Sequence, residues 1–485
     1  MSSIPTGWAS DRLKDVAAIN AVALSAGTDP DYEFDYLEIS NVEYHGIVDP
    51  SAIERLRFED APSRARRRVA AGSTVISSVR PNLQAVAFFP DAPAHFVCST
   101  GFNVVEPQTS RLSPQFVYYH LISENARQYF EAAATGVGYP AVGDKEFNAI
   151  AVPLPPLPEH HRIAAYLDAS CAAIDAAVAA KRRQLETLDA LVLAVIHQAV
   201  TRGINAAVKV RQSGMDWLPE VPEHWQVQQI KRTCEIVRGK FTHRPRNDPA
   251  FYGGEYPFVQ TGDITAARKY IRTYSQTLND LGLSVSKMFP RGTLVMSIAA
   301  NIGDVAILDF EACFPDSMVG LIPRHKTDLN FLYYMMRAMK GIMLRSAVIS
   351  TQLNLNNVRI GTNFAAFPPI KEQKTIGEYL DAKEQEALAV KETLDQQIAM
   401  LSAYRKSLIH ECVTGQRLIT EADVLRSQLS AKTRLLNREP YGKNVRLKMA
   451  GGDDRTCSAN FGKAIKGGGQ VDPLLALKSA TRRGN

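Results

Sequence analysis

The chain has 485 residues, 45% hydrophobic and 22% charged, which fits a globular protein of two to four domains. No unbroken apolar run approaches the eighteen or so residues that cross a bilayer, the start MSSIPTGWASDRLKD lacks a basic-then-apolar signal pattern, and the cysteines at 98, 171, 234, 313, 412 and 457 form no Cys-x-x-Cys pair. A cytoplasmic protein is therefore expected, without membrane association, zinc knuckle or disulfide framework, its cysteines acting as small buried hydrophobes. The net charge of +6 is uneven: residues 431–485 hold 12 basic against 4 acidic side chains, which leaves 44 against 46 in the rest, so only local clusters can argue for nucleic acid.

In chain order, the opening phrase IPTGW leads into short β-branched and aromatic runs broken by Gly, Pro and Asn, such as RRVAAGSTVISSVRP, which read as the strands of a mixed α and β domain. TGVG at 135–138 follows a helical pattern and reads as a turn, not as a dinucleotide loop. The phrase PLPPLPEHH comes next; proline fixes φ and biases the preceding residue away from helix, so it marks a stiff boundary and a helix start. In the helix that follows, Leu167, Cys171, Ile174, Val178, Lys181, Leu185, Leu188, Val192, Val195 and Ala199 alternate by four and three residues, the seam of a heptad repeat. A second opening phrase, VPEHW, begins another stretch of short runs that includes RGTLVMSIAANIGDVAIL. It ends at FPPIKEQ and a second long helix with the seam Leu380, Glu384, Ala387, Lys391, Leu394, Ile398, Leu401, Arg405, Leu408 and Cys412. From about Thr420 the tail is basic and poor in aromatics, and is expected to be disordered.

The chain thus repeats itself. Pro155 to Ala169 and Pro368 to Ala382 share eight identities in fifteen, where chance gives roughly one. Ile196-His197 and Val200-Thr201 fall on Ile409-His410 and Val413-Thr414 at the same offset of 213, while upstream matches drift to 220, as loop insertions require. A period of about half the chain is a duplicated domain and not a solenoid. The expected fold class is α+β: two similar mixed α/β domains over 1–157 and 206–368, joined by long helices over 158–205 and 369–418 that pair antiparallel as a coiled coil with an approximate twofold axis, and a tail over 419–485. The plainer alternative lays each helix on its own domain's core. At 1.5 Å per residue each helix is roughly 60 Å long, a spacer between two unlike heads, as dimeric DNA readers use.

Catalytic signatures are missing. There is no G-x-x-x-x-G-K-[ST] loop and no H-E-x-x-H; His160 and His161 are neighbours on a helix start and point apart. Neither Pro-Pro phrase begins with the Asn or Asp of an amino-methyltransferase motif, and Asp304, Asp309 and Glu311 lack the lysine of a nuclease core. No catalytic or metal-binding residue is assigned.

MDWLPEVPEHWQVQQIK at 215–231, QTGDI at 260–264, SIAANIGDVAIL at 297–308 and the repeated PPxxEQxxIxxYLD phrase with its helix ending in IHECVTGQ together resemble the specificity subunit of type I restriction-modification enzymes. The likeness covers about residues 4–418. It implies two target recognition domains, each binding one half of an asymmetric bipartite site in double-stranded DNA, with the helices as a ruler. It also implies two modification subunits that carry S-adenosylmethionine and methylate adenine, and two restriction subunits that use ATP and Mg to translocate and cleave; no cofactor is implied for this chain itself. A protein-interaction scaffold with duplicated binding heads is the competing class.

For DNA contact, arginine favours guanine, Asn and Gln favour adenine, and Lys, Arg, Ser and Thr hold phosphates. The first domain offers Arg64, Arg66, Arg67, Arg68, Arg80 and Asn82. The second offers Lys240, Arg244 and Arg246, then Gln260, Thr261 and Asn301 beside strands, and the polar run Thr351, Gln352, Asn354 and Asn356, which occupies the place of TGVGYPAVG in the first copy. A solvated charge run and turn-forming asparagines are the bland readings. Contacts to partner subunits are expected from Leu167, Ile174, Leu185, Leu188, Leu380, Leu394, Ile398 and Leu401 on the helices.

Overall fold

The computed structural model describes residues 5–42, 46, 48–299, 301–346, 348–349 and 353–436. They divide into two compact units, one made of the chain up to Arg182 together with residues from Asp395 on, the other of Arg183–Leu394.

The first unit holds two four-stranded sheets. One runs Ala17–Ile19, Phe102–Pro107, Ser73–Ser77, Val86–Phe89, all antiparallel; the other runs Glu54–Arg57, Glu33–Leu37, Phe96–Ser99, Ala65–Arg68, with Glu33–Leu37 parallel to Phe96–Ser99. Ser73–Ser77 reads STVIS and is buried along its whole length, as β-branched side chains on a strand covered on both faces should be. Ala9–Arg12, just after the opening phrase, pairs with Ala151–Leu154, just before the proline phrase, so the domain closes on itself at its boundary.

The second unit repeats this plan. Its larger sheet runs Cys234–Arg238, Met318–Pro323, Leu294–Ser297, Val305–Leu308, in the order of their counterparts in the first copy, with Tyr270–Ile271 added at the edge. In its smaller sheet Tyr252–Phe258 pairs in parallel with Ala312–Cys313, and Gln226–Gln229 closes on Phe364–Phe367. An additional hairpin, Val210–Met215 with Leu218–Pro222, runs into the second opening phrase.

The long helices are Leu157–Arg202 and Ile370–Val413, about 69 and 66 Å at 1.5 Å per residue. Each begins on a domain core: Ile163, Leu167, Cys171 and Ile174 are buried with Phe116, Phe130 and Phe147, and Ile376 and Leu380 with Phe331, Tyr334 and Phe367. A tyrosine fastens each start, Tyr119 to Asp168 at 2.7 Å and Tyr334 to Asp381 at 2.6 Å. Within the first unit the two helices run antiparallel: Asp175 pairs with Arg405 at 3.1 Å, Lys181 donates to Gln397 at 2.6 Å, and Leu408, Ile409, Cys412 and Val413 join the domain core. Within the second, Leu188 packs with Ala387, Val390 and Leu394, Lys391 pairs with Asp189, and Ile196, Ala199 and Val200 join the core. The seam and the plainer alternative are therefore both realised, on different stretches of the same helices. The three charged positions of the second seam are all paired, Glu384 with Arg337, Lys391 with Asp189 and Arg405 with Asp175.

Two expectations change. The eight leucines and isoleucines assigned to partner contacts pack inside the chain: Leu167, Ile174, Leu188, Leu380 and Leu394 are buried, and Leu185, Ile398 and Leu401 are half-buried and keep part of their surface exposed. The expected disordered tail contains the helix Glu421–Leu436, opened by a Thr420–Asp423 capping box, with Ile419 and Val424 on the first core; residues 437–485 lie outside the described set. The first long helix is apolar and long enough to cross a membrane by composition, but its buried positions are covered by protein.

Both helices end alike. Thr201 and Thr414 donate to the carbonyls of His197 and His410, one turn back, and a glycine at positive φ follows, Gly203 at 78° and Gly415 at 72°. Glycine is needed for the left-handed cap, and at Gly415 for space as well, since a Cβ would stand 2.3 Å from Pro5 and about 3.1 Å from Trp8. Gly203 also lies against the tryptophan of its own opening phrase, but a Cβ there would stand 3.4 Å from Trp225, an ordinary contact. The tryptophan of each opening phrase is thus the seat for a helix end.

Candidate nucleic-acid interface

Three segments meet at the same place in each unit. In the first, the strand Ser73–Ser77 ends as the Ser77 hydroxyl donates to the Val79 carbonyl at 2.9 Å; the Ser78 amide then donates to Gly101 and its carbonyl accepts from Val142, both at 2.9 Å. In the second, the Ser297 hydroxyl donates to Ala299 at 2.7 Å, the Ile298 amide donates to Ser317 at 3.0 Å, and its carbonyl accepts from Leu355 at 3.1 Å. The repeated geometry brings a strand end, a turn from a neighbouring strand and the polar loop before the closing helix to one surface.

Around the first junction, Arg64, Glu38, Ser40, Ser78, Ser99 and Thr100 line a cleft of about 480 Å³. The Arg64 guanidinium reaches Glu38 at 2.5 Å and the Tyr36 hydroxyl at 3.4 Å, and the bond to Glu38 raises its already high pKa. Arg80 sits with its guanidinium 4.4 Å from the centre of the Tyr139 ring and donates to the Gly138 carbonyl at 3.5 Å. Arg66 lies over Phe58 at 4.6 Å, whereas Arg68 is exposed and has no side-chain partner among the described residues. Arg67 departs from expectation: it turns inward to the Phe102 carbonyl and donates to Asn103 Oδ1 at 2.9 Å, and burial lowers its pKa. Its guanidinium is engaged in packing inside the fold. Asn82 falls in the 3-10 turn Pro81–Leu83 next to Arg80.

Around the second junction three arginines converge on the turn at Asp316. Arg244 and Arg246 pair with its carboxylate and Arg238 donates to its carbonyl at 2.7 Å. All three are exposed, and exposed pairs are worth only about 0–1 kcal/mol, so a phosphate can take the arginines over. Lys240 is exposed beside them, its backbone carbonyl accepting from Ser286. On the other side Asn301 donates to Thr265 at 3.1 Å, Thr265 contacts Asp304 at 3.3 Å, and Lys340 pairs with Asp304 at 2.5 Å. Gln260 and Thr261 open the helix Thr261–Ala266; Gln260 donates to Gln276 at 3.0 Å. Asn354 stands in the short strand Leu353–Asn354. Asn356 departs from expectation, because its side chain accepts from the Arg359 amide at 2.9 Å and caps the helix Asn357–Thr362. Thr351 and Gln352 lie outside the described residues.

The sequence reading missed Glu38, Arg238, Thr265 and Lys340, none of which stands in a motif; the pairing of distant strands brings them in. Residues 1–157 hold 18 acidic against 12 basic side chains, and five of the acids, Asp31, Glu33, Asp35, Glu59 and Asp60, gather around Arg55 and Arg57 at one sheet edge. Among the described residues no group of three His, Cys, Asp or Glu could hold a metal. The five described cysteines are buried and free, with burial raising the thiols of Cys98, Cys234 and Cys412 to about 12, so they pack as expected; Cys457 is outside the described set. What the two surfaces present is arginines, hydroxyls and amides, groups that hold phosphates and base edges.

A family model described as the type I restriction modification DNA specificity domain matches residues 5–187 and again 222–400. A putative type I restriction enzyme MjaX specificity subunit of Methanocaldococcus jannaschii is 22% identical over 434 residues, covering 86% of this chain and 95% of that protein. The HindI specificity subunit of Haemophilus influenzae is 20% identical over 369 residues, covering 65% and 76%. Among solved structures, a chain from work on the assembly and conformational transition of the type I R-M system superposes with a TM-score of 0.70 at 22% identity, covering 85% of this chain and 99% of that one. The HsdS subunit of Thermoanaerobacter tengcongensis gives 0.50 at 21%, covering 86% and 98%.

Proposed function

The chain belongs to the family of type I restriction-modification DNA specificity proteins, and from that premise we propose that it is the non-catalytic, sequence-reading subunit of such a complex. Each domain reads one half of an asymmetric bipartite duplex site, and the two long helices set the gap between the halves. Adenine methylation falls to two modification subunits carrying S-adenosylmethionine, and cleavage to two restriction subunits using ATP and Mg.

The observation that carries this reading is the repeated junction with unlike side chains. Both units expose the same three segments, but one carries Arg64, Arg80 and a row of hydroxyls and the other Arg238, Arg244, Arg246, Asn301 and Gln260. Equal scaffolds with different donors recognise different sequences by the same approach. Sequencing the methylome with and without this gene should show loss of one bipartite methyladenine motif; an unchanged methylome refutes the reading.

The spacer is tested by length. Inserting seven residues in each helix, between Lys181 and Leu188 and opposite them between Lys391 and Gln397, keeps the heptad phase and adds about 10.5 Å, or about three base pairs at 3.4 Å each. The gap should lengthen and the two half-sequences stay the same. Altered half-sequences would show that the helices are not a spacer.

A further inference from the structure

The loop Thr135–Ala141 of the first unit carries an apolar point that the core does not use. Val137 is fully exposed and Tyr139 is 72% exposed, while the backbone beneath them is pinned. Thr135 and Ala141 exchange two hydrogen bonds of 2.9 Å, and the Arg80 amide donates to the Pro140 carbonyl at 2.7 Å. Gly136 and Gly138 stand at φ 108° and 88°, left-handed backbone that glycine enters without strain, so the turn pushes both side chains outward. The Arg80 guanidinium against the Tyr139 ring stiffens it further.

The surroundings say what such a point meets. Ser78 and Val79 line the cleft with Arg64, Glu38, Ser40 and Thr100, and the same segment holds the loop through Ser78 and Arg80. An apolar tip between cationic and hydroxyl shoulders suits a duplex groove, where phosphates flank a stack of bases, and it is the arrangement by which apolar side chains part base steps. A protein surface would offer only scattered carbonyls and carboxylates, whereas a duplex sets a row of phosphates on each side of the tip.

The geometry points to a wedge: Val137 and Tyr139 enter a groove of the first half-site and press on a base step, while Arg80 and Arg64 hold the flanking phosphates. This rests on the DNA-reading function and adds deformation of the site to it, so that base steps which unstack easily are favoured where no side chain reads a base edge.

The test uses the full chain assembled with its modification subunits, and duplexes of the bipartite sequence with 2-aminopurine moved step by step through the first half-site. Wild type should raise the fluorescence at one step. Tyr139→Ala should abolish that rise and weaken binding about 5- to 150-fold, the range for loss of one base–aromatic stack, with Tyr139→Phe retaining both. Equal affinity and an unchanged fluorescence profile for Tyr139→Ala would overturn the wedge, as would lost association with the modification subunits at unchanged DNA affinity, which would assign the tip to protein. Failure of wild type itself to bind any bipartite duplex would overturn the DNA-reading function and the wedge with it.

Discussion

Replacing His160 by glutamine should stabilise the protein. His160 is fully buried, stacked on Phe116 with ring centres 4.3 Å apart, and neither ring nitrogen has a hydrogen-bond partner among the described residues. The repeat places Gln373 at the same position of the second copy, and Gln373 is satisfied: it accepts from the Asp328 amide at 2.8 Å and donates to the carbonyls of Lys326 at 3.1 Å and Pro368 at 2.8 Å. Asp328 stands at the N-cap of its helix and Ser113 at that of its counterpart in the first copy, though only Asp328 makes the side-chain cap, and by the repeat a glutamine at 160 is expected to reach the equivalent backbone groups. An unsatisfied buried polar group costs about 1–3 kcal/mol, and losing the ring stack removes about 0.5–1.5 kcal/mol; at the middle of both ranges the balance favours glutamine by about 1 kcal/mol. Acid sensitivity adds a second signature. Burial lowers the pKa of His160, and of the buried His120, to about 4 from the ordinary 6.5. An unfolded chain therefore takes up protons that the folded one refuses, and stability present above pH 6.5 is lost as the pH falls towards 4, by about 3 kcal/mol per histidine at most. Denaturant unfolding of wild type and His160→Gln at pH 7 and pH 5 measures both effects. A variant less stable than wild type at pH 7, or one with the same loss on going to pH 5, would refute the reasoning.

Arg68→Ala should reduce the slope of log affinity against log salt by about one, while Arg67→Ala should leave the slope alone and lower thermal stability, because its guanidinium is spent on Phe102 and Asn103; filter binding across a salt series with parallel melting curves separates them. Gly415→Ala should destabilise the protein by about 2–3 kcal/mol in denaturant unfolding, since it combines left-handed strain with overlap on Pro5 and Trp8. Asp316→Asn should release Arg244 and Arg246 and tighten DNA binding with a steeper salt dependence; unchanged binding would remove those arginines from the interface.

The duplication, the two boundaries and both long helices were legible because each rests on a local signal, proline chemistry or heptad spacing, and the helices begin and end within a few residues of the expected limits. The seam was legible as buried, but spacing cannot tell whether a buried stripe faces a helix or a domain core; Leu167 and Leu380 went to cores, Leu188 and Leu394 to the partner helix. In the arginine run, strand alternation decides each role: within Ala65–Arg68 the side chain of Arg67 turns in and that of Arg68 out, a distinction that needs the register with Phe96–Ser99. Glu38 and Asp316 escaped notice because their value lies in what long-range pairing sets beside them. At Asn356 the sequence cannot separate a base contact from a helix cap, and the side chain makes the cap.

Among the described residues the first unit is assembled from two separated stretches, the chain up to Arg182 and the residues from Asp395 on, whereas the second uses the single stretch Arg183–Leu394. During synthesis the leading domain must wait on the ribosome with the seats for Ile409, Cys412 and Val413 vacant, and with Trp8 missing its lid, while more than two hundred further residues emerge. The trailing domain can close as soon as its own helix start is made. A premature stop before the last helical turns would therefore damage the part of the molecule translated first, and chaperone demand should peak on that early half.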